Sequence, residues 1–264
     1  MKDPRLFPDI FEASFILIIL FGIQLLIGNL LYSIIGPFKA GDPFIGGIIS
    51  LISFGLVISW LMYYKDLNYG DVLNPSKQPP IKLTFKIILP LIFVVIGVFI
   101  FEVEVQNVLT SIFPMSPFYE ELFSRLEDSG AHSIITVSFI APFIEELLFR
   151  GIFLRSFLKQ YSIRKSIVVS SFLFAIFHLN IYQFIIAFVL GSFSGWIYAK
   201  TKSLFPCILI HFLYNSLFLI YLTLKKTYNI FPFSEQLSNI ESLVFLIIGA
   251  VLIFLGMLPL KKYT

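Results

Sequence analysis

Residues 131–158 read AHSIITVSFIAPFIEELLFRGIFLRSFL, an apolar run that carries Glu145, Glu146 and Arg150 near its centre. A bilayer-spanning helix needs roughly 20 mostly apolar residues, so the run is long enough to span. Each ionised side chain at mid-bilayer costs at least ~2.5 kcal/mol on insertion scales. Three such groups this close together persist only where they face a protein interior or a water-filled cavity. The run therefore implies further helices packed around it.

The rest of the chain supplies them. Of its 264 residues 58% are hydrophobic and 13% charged, against about 25% charged in an ordinary soluble domain, and the mean hydropathy is +0.91. These values exclude a disordered chain, a disulfide scaffold and a typical soluble enzyme. Long unbroken apolar runs also exclude an outer-membrane barrel, whose strands alternate over about ten residues. Cys207 is the single cysteine, so no intrachain disulfide forms. The net charge of +3 is too small to suggest a nucleic-acid partner. The expected fold is all-α and polytopic, with about eight transmembrane helices. These lie near Phe11–Ile35, Phe44–Tyr64, Phe85–Phe101, Ala131–Leu158, Ser166–Asn180, Tyr182–Ala199, Leu204–Leu224 and Ser242–Leu260. The first is too long for a signal-peptide core and reads as a retained helix. Residues 1–130 form an N-terminal group of helices, 131–224 a core with the polar site, and 225–264 a last helix.

Eight crossings put both termini on one side. That side holds fourteen basic residues: Lys2, Arg5, Lys65, Lys77, Lys82, Lys86, Arg155, Lys159, Arg164, Lys165, Lys200, Lys202, Lys261 and Lys262. The other holds four: Lys39, Arg125, Lys225 and Lys226. The excess of positive charge in cytoplasmic loops makes the first side cytoplasmic, in what is expected to be a bacterial plasma membrane. Lys65–Thr84 is then a basic cytoplasmic loop and Glu102–Gly130 an acidic external one. Within the latter, Phe118, Leu122 and Leu126 at helical spacing predict a short interfacial helix ended by Gly130.

Glu146 and Arg150 stand i, i+4, with the acid on the favourable N-terminal side. Glu145, about 100° round the helix, is left without a local partner and reads as a general base. Pro142 frees the carbonyl of Ser138 and bends the helix near the site. Phe174-Ala-Ile-Phe-His178 ends the fifth segment, and His211-Phe-Leu-Tyr-Asn215 puts His211 and Asn215 on one face of the seventh. Counted from the nearest cytoplasmic basic residue at 1.5 Å per residue, Glu145 lies ~15 Å deep, His211 ~14 Å and His178 ~20 Å. One carboxylate, two imidazoles and a carboxamide in one layer form the elements of a hydrolytic site. His132, at the external end of the fourth segment, reads as interfacial. Glu120-Glu121-Leu-Phe-Ser-Arg125 repeats the Glu-Glu-x-x-x-Arg spacing in the external loop, where water solvates it, and reads as a surface helix. Gly191-x-x-x-Gly195 reads as close helix packing. No Gly-rich phosphate loop, His-Glu-x-x-His motif or paired-Cys zinc motif is present.

Glu145-Glu146-x-x-x-Arg150, Phe174-x-x-x-His178 and His211-x-x-x-Asn215, in that order on successive apolar segments, resemble the CPBP family of CAAX proteases and bacteriocin-processing enzymes, also called Abi. The resemblance covers about Ala131–Phe218. It implies an intramembrane endopeptidase acting on membrane-associated protein or peptide substrates, either prenylated CAAX-like or transmembrane. In that reading Glu145 is the base and His178 helps hold the water. His211 and Asn215 stabilise the oxyanion, while Glu146, Arg150 and Phe174 support the site. No cofactor is then required. The alternative is a zinc site of Glu145, His178 and His211. Non-catalytic readings are a bacteriocin self-immunity protein and a proton-coupled transporter, against which the lack of internal repeats weighs.

The charge asymmetry makes a direct prediction. Single cysteines placed between residues 120 and 130 should react with an impermeant thiol reagent on intact cells, and cysteines between residues 77 and 82 should not. The reverse pattern would invert the topology.

Overall fold

A computed structural model of the chain describes residues 6–36, 42–75, 80–128, 130–228 and 239–263. Lys2, Arg5, Lys39 and Lys77, counted in the charge asymmetry, lie outside the described residues. Every regular element among the described residues is a helix, without a strand. The order is α1 (Ile10–Ile35), α2 (Pro43–Tyr64), the short α3 (Tyr69–Leu73), α4 (Pro80–Ile112) and α5 (Pro117–Asp128). A continuous helix α6 (131–160) follows, then α7 (Ile163–Phe177), α8 (Ile181–Thr201), α9 (Phe205–Tyr228) and α10 (Asn239–Leu260). Capping follows from the sequence. At α1, Asp9 Oδ1 accepts from the Glu12 N–H at 2.9 Å while Glu12 Oε2 accepts from the Asp9 N–H at 2.7 Å, a reciprocal capping box.

The protein is a polytopic all-α membrane protein. Among the described residues, six helices are long and apolar enough to cross a membrane by length and composition: Ile10–Ile35, Pro43–Tyr64, Lys82–Ile112, Ile181–Thr201, Phe205–Leu224 and Ile240–Leu260. Eight were expected, and the difference lies in two places. The segment expected over Ser166–Asn180 is α7, whose 15 residues rise only about 22 Å, short of a hydrocarbon core of about 30 Å. The segment expected over Ala131–Leu158 is one helix of mixed character. It holds π turns at Ile134–Ile140 and Leu147–Leu154 on either side of the α-helical Ala141–Glu146.

A third correction concerns α4. The apolar segment was expected to end at Phe101, with Glu102 opening an external loop. The helix instead continues to Ile112 and carries Glu102 into the interior, where it is 9% exposed. The helix predicted from Phe118, Leu122 and Leu126 forms as α5, and Gly130 follows it with φ +51°.

α6 is the axis of the molecule. All eight residues of Leu147–Leu154 are buried, as expected of a helix surrounded by others. Phe149, Ile152, Phe153, Leu154 and Phe157 form its apolar core. α7 and α8 fold back on each other through a turn in which Leu179 has φ +49° and Asn180 caps α8 at the Tyr182 N–H, 2.9 Å. α10 lies along α4, and a Cβ at Gly97 would stand 2.6 Å from the Gly249 carbonyl. Glycine at that crossing lets the two backbones touch. The outward faces of α1 and α10 expose large apolar side chains such as Phe11, Phe15, Leu26, Leu243 and Phe254, as a lipid-facing surface requires.

Candidate active site

The site is built around Glu146, which is 1% exposed. Its Oε1 lies 2.9 Å from Arg150 Nη1 and 3.2 Å from His211 Nδ1. Its Oε2 accepts from the Ser194 hydroxyl at 3.0 Å. One carboxylate thus joins α6, α8 and α9. Arg150 is equally buried, and its guanidinium sits 4.5 Å from the centre of the Phe174 ring. A Cβ on Gly191 would stand 3.0 Å from Arg150 Nη2, so the Gly191-x-x-x-Gly195 motif is indeed close packing. It also makes the room for the buried guanidinium.

Phe174 does more than fill space. Its ring meets the His178 ring edge-on at 4.9 Å and the His211 ring at 5.6 Å, so it walls both imidazoles. His178 caps α7, and its Nδ1 pairs with the Phe174 carbonyl at 2.9 Å. This leaves Nε2 as the free nitrogen. His211, with Nδ1 toward Glu146, turns Nε2 toward Glu145 Oε2 at 3.8 Å. Glu145, expected to lack a partner on its own helix, finds this one on α9.

Asn215 donates from Nδ2 to the Val137 carbonyl at 2.7 Å, and the π turn explains why that carbonyl is available. In this register the Ala141 N–H bonds back to Thr136. The next carbonyl, Val137, therefore faces Pro142, which has no N–H to give. A regular α-helix would have placed the vacancy at Ser138, as the sequence suggested. The extra residue of the π turn moves it to Val137, where α9 fills it. Such turns often accompany functional sites.

Glu145, Glu146, Phe174, His178, His211 and Asn215 all line one cavity of about 470 Å³. Further polar residues on its wall were missed by sequence reasoning, among them Glu102, Gln106, Ser194 and Tyr214. A signal for two of them existed, because Glu102, Gln106 and Thr110 recur every four residues along what proves to be one helix. α5 covers the far end of the cavity. Tyr119 donates to the Leu179 carbonyl at 3.1 Å, and the Tyr182 hydroxyl lies 3.1 Å from the Phe113 carbonyl. The second Glu-Glu-x-x-x-Arg copy stays on the surface of α5. Its Arg125–Glu121 pair spans 2.6 Å, with side chains 43% and 63% exposed. His132 is exposed at the start of α6, its ring 5.1 Å from that of Phe44 and tilted to it.

Among the described residues, no three His, Cys, Asp or Glu side chains converge to hold one ion.

Residues 128–217, about a third of the chain, match the family model for Type II CAAX prenyl endopeptidase Rce1-like proteins. The match is consistent with the CAAX-protease resemblance that the three motifs carry. The match spans α6 to α9, which contribute all three motifs. It supports a membrane endopeptidase in general. No curated protein and no solved structure matches the chain.

The packing around Arg150 can be tested on its own. Gly191→Val should lower stability by about 1–3 kcal/mol, the usual cost of overpacking, measured by unfolding in detergent micelles. Gly46→Val, where nothing lies within 4 Å of the added Cβ, should be close to neutral.

Proposed function

We propose that the protein is an intramembrane endopeptidase that hydrolyses peptide bonds of membrane-associated proteins or peptides, using a water activated by Glu145. One observation carries this reading. Arg150 neutralises Glu146, whereas Glu145, on the same cavity as His178, His211 and Asn215, has only the His211 ring 3.8 Å away. A scaffold or immunity role gives no reason for that division between a carboxylate neutralised by arginine and one left to face an imidazole.

In the proposed reaction Glu145 removes a proton from water held with the help of His178 Nε2, and the hydroxide adds to the scissile carbonyl carbon. The developing oxyanion takes the second Nδ2–H of Asn215, the first being committed to Val137. His211 can add a donor from Nε2 only while its ring is protonated, because Nδ1–H is given to Glu146. Collapse of the tetrahedral intermediate breaks the C–N bond, and protonated Glu145 returns its proton to the leaving amine. Donors fixed before the reaction are what make such a site effective in a water-poor interior. No metal takes part in this scheme. Substrates are proposed to be lipid-anchored or transmembrane peptides, in a bacterial plasma membrane with both termini cytoplasmic.

Glu145→Gln should abolish cleavage of prenylated or transmembrane peptides, read by mass spectrometry, while the protein still purifies folded. Wild-type turnover by that variant would remove Glu145 from the mechanism. Asn215→Ala should lower kcat by roughly 10²–10³, the usual loss for one oxyanion donor. Activity should also survive exhaustive treatment with phenanthroline. Stoichiometric zinc in active protein, with activity lost on chelation and restored by zinc, would overturn the metal-free mechanism and leave the protease reading standing.

A further inference from the structure

Glu102 belongs to none of the three motifs and lies outside residues 128–217. It stands on α4, is only 9% exposed, and lines the same cavity as Glu145, His178 and Asn215. Tyr214 lines the same cavity beside it, three residues beyond His211, about one helical turn along α9. Gln106 Nε2 donates to Glu102 Oε1 at 3.1 Å and is itself tied to the Tyr182 carbonyl. Gln106 thus fixes the carboxylate on the cavity wall, beside the stretch of α9 that carries Asn215.

The charge of the wall is one-sided. Its carboxylates are Glu102, Glu145 and Glu146, and no Lys or Arg is among the described residues lining it. Arg150 sits behind the wall and is engaged by Glu146. A buried carboxylate without a cationic partner is unfavourable, so a cation entering here gains a charge-assisted hydrogen bond.

We propose that Glu102 is the specificity-determining residue of this cavity, selecting substrates that place a Lys or Arg side chain next to the bond to be cut. The assignment rests on reading the cavity as a peptide site, and its test separates the two. The full chain carrying Glu145→Gln, so that bound peptide is not consumed, is titrated in micelles with fluorescent apolar peptides. The peptides are amidated and differ at one scanned position, which is Lys, norleucine or Glu.

At the best position the Lys peptide should bind about tenfold more tightly than the norleucine peptide, the worth of one charge-assisted hydrogen bond, and the Glu peptide most weakly. Adding Glu102→Gln should bring Lys and norleucine to within about twofold. Glu102→Asp, which keeps the charge, should retain the Lys preference and shows that substitution here leaves the cavity formed. Equal affinities in the parent, no binding of any peptide, or a preference unchanged by Glu102→Gln would overturn the assignment. Cleavage of the same peptides by the unmutated chain reads the other claim. A charge preference in binding without cleavage leaves Glu102 in place and removes the hydrolase. Cleavage indifferent to charge does the opposite.

Discussion

Burying the carboxylate of Glu146 is the constraint on which the rest of the structure depends. In an interior of low dielectric an isolated carboxylate is very costly, and it is tolerated only when paired and hydrogen-bonded. Arg150 supplies the charge, Ser194 and His211 the remaining contacts. Satisfying one group on α6 therefore fixes where α8 and α9 must lie. Phe174 beneath the Arg150 guanidinium brings in α7 as well. The arrangement of these four helices follows from the needs of one ion pair, and the cavity is what their spacing leaves open.

That division separates structure from chemistry within a single dipeptide. Glu146 turns inward and is used up. Glu145, its neighbour, turns about 100° away and meets the cavity with His211 3.8 Å off. The copy at Glu120-Glu121 shows that the spacing alone has no such consequence. On α5 the same residues make an exposed pair worth little, because water does for them what Arg150, Ser194 and His211 do for Glu146.

Much of this was legible in the sequence, and the failures have physical causes. The apolar runs gave the helices, and the i, i+4 spacing gave the Glu146–Arg150 pair. Depth counted from basic anchors brought Glu145, His178 and His211 into one layer. What could not be read was register. A π turn adds one residue without any marker in composition, so the carbonyl left vacant by Pro142 was assigned to Ser138 and is in fact that of Val137. Ending a span at its first charged residue misplaced Glu102, because burial against Tyr214 and Gln106 involves residues far apart in the chain. The shortness of α7 follows from the turn at Leu179, whose positive φ is not obvious from a leucine.

The central claim is that the Glu146–Arg150 pair organises the helices while Glu145 carries the chemistry. A double-mutant cycle on stability and activity tests it most directly, using Glu146→Gln, Arg150→Met and the combined variant. Each single change should cost about 3–5 kcal/mol by stranding a buried charged or polar partner. The double variant should recover much of that stability, since no charge is left behind, yet remain poorly active because His211 has lost its carboxylate. Single variants as stable as the parent, or losses that simply add in the double variant, would contradict the account.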